Sequence, residues 1–476
     1  MLLGGLLLLV PVASPAFAHA HLESSNPADG AVLETAPAEV TLRFSDPVEP
    51  VEGGFELSRA GGETVTLIAT AHHEVVTAPL PVGLPEGAYT LSYRVASADG
   101  HPSAGKVGFR VNASEPSQEP TPEPTSEATS QRTAEPTHHP THEPTSEPAP
   151  DPADVPSSAA IDALTIVLTG LQYLGMLVFA GLVFFRRLVV RPVVAATGVA
   201  ARTLRCSLGG AVGAALLLVP VAALRLLGAQ PWEILSARWL GAVSVPQVAA
   251  AGVVTVAGGG AWWASRLTSG ASWLAVPLAA LALTGSLLVG HTQSTPPVWL
   301  MVLAGFGHLL AAAFWLGGVL GLVFELARVR RATLEEAARP SLSGPTPAQE
   351  TDSAPASFAD SPVVRLAHTV IRFSGFALAG AGLLATSGLI MAVLTVGSLE
   401  ALLGTGYGRT LLLKLGLAVP VLALAGWNRF VLLYRIERNP TVRGQWDQLA
   451  WTLRNEAALL AAVVVVAGAL TNLPTG

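Results

Sequence analysis

Eight apolar stretches dominate the last two thirds of this chain, near 162–185, 206–227, 243–264, 273–291, 298–324, 374–396, 409–433 and 456–473. Each supplies roughly the ~20 residues that cross about 30 Å of hydrocarbon. Backbone in hydrocarbon must satisfy its own N–H and C=O groups, so such stretches fold as helices. Charged residues are only 13% of the sequence and hydrophobic ones 51%. These values exclude a disordered or nucleic-acid-binding chain and argue against an ordinary soluble enzyme. Arginine placement predicts direction. If the first span runs from outside to inside, most arginines fall in cytoplasmic segments, among them Arg186, Arg187, Arg328, Arg330, Arg331 and Arg435. Arg238 and Arg409 stay outside, and both termini come out external.

The first third has another character. Leu2 to Val10 is an apolar run too short to span a bilayer, and Ala16-Phe17-Ala18 follows as a small-x-small cleavage site, so residues 1–18 read as an export signal. No Lys or Arg precedes the run, which points to a start codon further upstream. Residues 19–113 contain runs of period two: Glu39–Phe44, Gly54–Ser58, Glu63–Ile68, Tyr89–Val95 and Lys106–Val111. Turn signals such as Pro27-Ala-Asp-Gly30 and Asp99-Gly100 separate them. This spacing predicts an all-β antiparallel sandwich or barrel. Residues 114–158 repeat Glu-Pro-Thr and form a disordered, semi-stiff linker. Its His138, His139 and His142 suit a solvated spacer or a weak metal-collecting tract. Residues 159–476 are the membrane domain, with a flexible cytoplasmic loop near 335–362.

One cysteine, Cys206, and four methionines exclude a disulfide framework, a Cys-rich zinc site and a Met-rich soft-metal relay. Histidines carry the chemistry instead. Cleavage after Ala18 frees His19 as an N-terminus, offering an α-amine and an imidazole from one residue. The amine's ordinary pKa is only ~8, so a metal displaces its proton near neutrality. Downstream, Ala98-Asp-Gly-His-Pro102 presents Asp99 and His101 in a turn after a strand. Three nitrogens and a carboxylate oxygen suit tetragonal Cu(II). Spacing alone leaves His21, His72 and His73 as competitors, and a structural turn as the alternative.

His19-Ala-His-Leu-Glu-Ser-Ser-Asn-Pro-Ala-Asp-Gly30, Leu42-Arg-Phe-Ser-Asp-Pro-Val48 and Ser97-Ala-Asp-Gly-His-Pro102 together resemble the start and core motifs of the CopC copper-binding family. The resemblance implies a Greek-key β fold (Ig-like) that binds Cu(II) through the His19 amine and imidazole, Asp99 and His101. Methionine is absent from 19–158, so the Cu(I) site of some relatives has no counterpart. Gly290-His-Thr292, His308 to Gly318, Arg372-Phe-Ser374, Thr405 to Lys414, Asn428-Arg429 and Arg454-Asn-Glu456 resemble the CopD copper-resistance family. The order of the halves is similar to the fused CopC–CopD proteins, which implies copper transport, with import favoured.

Within the spans, His291 at the outer end of the fourth and His308 about 15 Å into the fifth outline a copper path from outside. An ionisable group in hydrocarbon faces the bundle interior or a water-filled path. Lys414 reads as structural or gating. Trp315 with Gly317-Gly318 suggests close helix packing. Glu325, Asn428 and Glu456, towards the cytoplasmic side, are expected to cap helices or pair with nearby arginines, with an exit for the ion as the alternative. The functional reading is a non-enzymatic membrane protein that captures Cu(II) and passes it inward. Its partners are the copper ion, the lipid bilayer and copper chaperones on either side, with no nucleic acid. The competing readings are an anchored copper-sequestering protein, and a copper or haem redox protein using His291, His308 or His368.

Overall fold

The computed structural model describes residues 20–62, 64–97, 102–112, 159–190, 198–267, 270–338, 362–439 and 442–473. The signal, His19, the 98–101 link, the linker and residues 339–361 lie outside the described residues. The chain divides into two units, one built on strands and one on helices.

Ten strands are described: β1 (Leu22–Asn26), β2 (Ala31–Leu33), β3 (Glu39–Phe44), β4 (Val48–Pro50), β5 (Glu56–Arg59), β6 (Thr64–Thr66), β7 (Thr70–His72), β8 (Val75–Pro79), β9 (Gly87–Ser97) and β10 (Pro102–Val111). One sheet has the order β1-β3-β8-β7, and the other β2-β10-β9-β5-β6 with β4 also on β9. The period-two pattern decides which face turns inward. β9 buries Tyr89, Leu91, Tyr93, Val95 and Ser97, and β3 buries Val40, Leu42 and Phe44. These two faces meet in one core, where Phe44 and Tyr93 touch edge to face at 5.6 Å. Gly105 leaves the room that Tyr93 fills, since a Cβ there would collide with the ring. Burial pushes the Tyr93 phenol up to about 12.

The alternation locates β3, β5, β6, β9 and β10. It does not reveal β1, β2, β4, β7 and β8. β1 is mostly polar and is held by its ladder to β3. β2, β4 and β7 are three residues each, too short for a period to show. β8 buries only Val76 and Ala78 and ends in a proline.

The helical unit comprises α1 (Ala159–Phe184, continued by a π-turn to Val189), α2 (Gly198–Leu227), α3 (Val245–Ala264), α4 (Ala275–Thr284), α5 (His291–Ser294), α6 (Val298–Ala338), α7 (Pro362–Val396), α8 (Leu399–Gly404), α9 (Gly406–Trp427), α10 (Leu433–Arg438, joined to α9 by a π-turn) and α11 (Arg443–Leu470). Among the described residues eight helices, counting the turns that extend them, are long and apolar enough to cross a membrane: α1, α2, α3, α4, α6, α7, α9 with α10, and α11. They coincide with the eight apolar stretches. Most run further at one end or both, because a helix continues through arginines and small polar residues where hydrophobicity already falls.

α1 is the most buried of the spans and α7 the least. α1 and α6 touch backbone to backbone. A Cβ on Gly181 would strike Ala313, and one on Gly317 would strike Gly181. Gly318 makes room in the same way for Phe373 of α7, and Gly321 for Phe185. Without a hydrophobic drive between helices in lipid, such close approach supplies the packing energy. This meets the expectation drawn from Gly317-Gly318. Arg225 and Asp162 pair at 2.9 Å between α2 and α1. Arg187 is buried against Ser272 Oγ and the Ser265 carbonyl, both at 2.8 Å.

Candidate metal centres

One end of the β sandwich gathers the flanks of the expected ligands. The backbone N–H of Ala20 donates to Ser97 Oγ at 3.3 Å, and both residues are buried. Ser97, the last residue of β9, pairs with Val48 of β4. Val48 N–H donates to the His73 carbonyl at 3.1 Å, and Ser45 N–H to the His21 carbonyl at 3.0 Å. Pro102 opens β10 opposite Ala96. His19, Asp99 and His101 themselves lie outside the described residues, but Ala20, Ser97 and Pro102, their chain neighbours, are brought together. The competitors His21, His72 and His73 are exposed. Among the described residues no group of three His, Cys, Asp or Glu could hold a metal.

In the bundle, α6 places His308 against α7. His308 Nδ1 stands 3.2 Å from Ser387 Oγ. The Ser387 hydroxyl has one proton, and its 2.6 Å bond to the Leu383 carbonyl uses it. Ser387 is therefore placed to accept from the ring, with the Leu384 carbonyl a further acceptor beside it; in the neutral ring with its hydrogen on Nδ1, Nε2 keeps its lone pair. That is the arrangement of a metal-binding imidazole whose other nitrogen is fixed by a neighbour. Gly388 sits under the ring, where a Cβ would come within 3.2 Å of His308 Cε1. Lys414 of α9 is close enough for its charge to bear on the ring. His291 begins α5, and its side chain is not described. The next residue, Thr292, packs over Gly305, one turn before His308. His368 is exposed and stands nineteen residues from Ser387 on α7, roughly 28 Å along the axis. A haem held between His308 and His368 is incompatible with that separation.

Deeper on the same face of α6, Trp315 Nε1 donates to Glu456 Oε1 at 2.7 Å. Asn428 Nδ2 donates to Glu456 Oε2 at 2.9 Å, and Thr452 Oγ1 to Asn428 Oδ1 at 2.6 Å. This corrects the arginine-pairing expectation. Glu325 does pair with Arg328, at 2.7 Å. Glu456 and Asn428 instead join a network spanning α6, the π-turn after α9 and α11. The sequence hides it, because Trp315 and Glu456 are 141 residues apart. Cys206 is exposed on α2, with no other cysteine in the chain to help hold a metal.

A strand sandwich joined to eight spanning helices defines a multi-pass membrane protein with a separate β domain. The CopC domain model matches residues 22–112, and the model for copper resistance protein D matches 367–470. The chain therefore carries a CopC domain and a copper resistance protein D domain in one polypeptide. It is 27% identical to the copper transport protein CutJ of Bacillus subtilis (strain 168), over 99% of this chain and 77% of that one. Protein YobA of Escherichia coli (strain K12) is 33% identical over 20% of this chain and 80% of its own length. The crystal structure of CopC from Methylosinus trichosporium OB3b is 30% identical, covering 21% of this chain and 98% of that one, with a TM-score of 0.20.

Proposed function

We propose that this protein captures Cu(II) outside the cell and passes it inward through its helical bundle. Residues 1–18 are removed after Ala18, and the freed His19 binds through its amine and imidazole, with Asp99 and His101 completing the set. The observation that carries this reading is the Ala20–Ser97 hydrogen bond. Consecutive Cα atoms are 3.8 Å apart, so His19 and Asp99 are tethered one and two residues from a single buried contact. Three nitrogens and one carboxylate oxygen match the preference of Cu(II). The CopC and CopD matches and the full-length likeness to a copper transport protein support copper as the cargo.

His291 and then His308 receive the ion in the bundle. The open Nε2 of His308 supports this, as does the packing of the His291 segment one turn above it. The arginine bias of the loops supports an external β domain and external termini. The His308–His368 separation disfavours the haem reading. Copper accumulation in cells lacking the protein, complemented with wild type, His19→Ala or His308→Ala, tests the proposal. His308→Ala should abolish accumulation while Cu(II) binding by the β domain persists. Normal accumulation by this variant would return His308 to a packing role.

A further inference from the structure

Glu456 is 3% exposed at the depth of the spans. Both carboxyl oxygens accept from neutral donors, Trp315 and Asn428. Among the described residues no Lys, Arg or His is ion-paired with it. The groups facing it can be named helix by helix. α6 presents Trp315, with His308 two turns away. α7 presents Ser374, while Arg372 turns to the Leu188 carbonyl at 3.1 Å. The π-turn after α9 presents Asn428 and Arg429, and Arg429 bonds Ser374 Oγ at 2.6 Å; Lys414 lies on α9 itself, about 21 Å along the axis from Asn428. α1 carries Asp162, Tyr173, Arg186 and Arg187, and on α11 itself Arg454 is exposed. A lone charge in hydrocarbon neutralises or acquires a partner. Two neutral hydrogen bonds do not offset its desolvation, whereas a protonated carboxyl still accepts both.

A cavity of about 230 Å³ adjoins this carboxyl, walled by Trp315, Ser374, Asn428, Arg429 and Glu456 among apolar residues of α6, α7, α9 and α11. A water takes about 30 Å³, so the cavity has room for several. His308 and Trp315 are seven residues apart on one face of α6, about 10 Å along its axis. The carboxyl therefore lies below the imidazole on a common line, with room for water beside it.

We propose that Glu456 is a proton-binding site of the bundle: its carboxyl holds a proton at rest and releases it when a cation descends from His308. This rests on the copper path proposed above. In the step one carboxyl O–H bond breaks, its electron pair stays on the oxygen, and the proton passes to cavity water. The carboxylate left behind faces the arriving cation, with Arg429 on the same cavity wall.

Infrared difference spectra of the purified full chain in detergent test the site without transport. A protonated-carboxyl band should vanish on addition of copper and be missing in Glu456→Gln; Glu456→Asp should retain it at a shifted position. Absence of such a band in the wild type, or its survival in Glu456→Gln, would overturn the proposal. In vesicles with an internal pH dye, copper entry should move protons in the wild type, and Glu456→Gln should lose that movement with at least a tenfold drop in entry. Unchanged proton movement in Glu456→Gln would overturn the coupling. A titrating band in a protein that admits no copper would overturn the copper path and leave the proton site standing.

Discussion

Replacing Ser387 by alanine removes the hydroxyl that accepts from His308 Nδ1, leaving the Leu384 carbonyl as the neighbouring acceptor and the histidine in place. At 3.2 Å the bond is of ordinary strength, and such bonds contribute about 1 kcal/mol net. That preference for the Nδ1–H tautomer is worth about fivefold in the population of rings with Nε2 open. Ser387 also fixes ring orientation, and losing an outer partner of a metal-binding histidine typically costs 10- to 100-fold. Copper accumulation by Ser387→Ala should therefore fall between about 5- and 100-fold, at unchanged protein level and unchanged Cu(II) affinity of the β domain. Ser387→Thr keeps a hydroxyl at the position and should retain most activity. Accumulation by Ser387→Ala equal to wild type would refute the tautomer argument. So would a loss fully matched by a loss of folded protein.

The isolated segment 19–113 should bind about one Cu(II) tightly by calorimetry and lose most of that affinity when one residue precedes His19; tight binding by the extended form would exclude the amine as a ligand. Gly317→Ala forces a methyl group against Gly181, an overpacking worth about 1–3 kcal/mol. Its thermal midpoint in detergent should drop by several degrees, while Gly375→Ala, which meets nothing within 4 Å, should not shift. Tyr93 binds its proton more tightly in the folded β domain than in the unfolded chain. Its contribution is therefore complete below about pH 10 and is lost as pH rises toward about 12, on the order of 2 kcal/mol in all. Denaturant titrations of the β domain should show that loss over this window, and Tyr93→Phe should flatten it.

The strands that could be read from sequence are those whose inward residues alternate over enough length, as in Glu39–Phe44 and the centre of β9. The polar β1 owes its place to β3, a partner many residues away, and local periodicity carries no trace of that pairing. The spans were legible because hydrocarbon imposes a length that few soluble segments meet by chance. The residues proposed to act inside the bundle were legible only in part. His308 stands out as an imidazole in an apolar run, yet Ser387 is one hydroxyl among several in α7, and only packing selects it. Glu456 invited pairing with Arg454, two residues before it, but on a helix such neighbours point apart. Its partners come from the facing α6 and from the π-turn that follows α9.

Gly181 and Gly317 leave two backbones in contact with no side chain between them. Such a joint has nothing to compress or swing aside, so α1 and α6 behave as a stator. If the proposed path beside His308 opens, the span with most freedom to shift against that fixed pair is α7, the least enclosed of the eight. In such a shift the His308–Ser387 hydrogen bond would be the contact that breaks first.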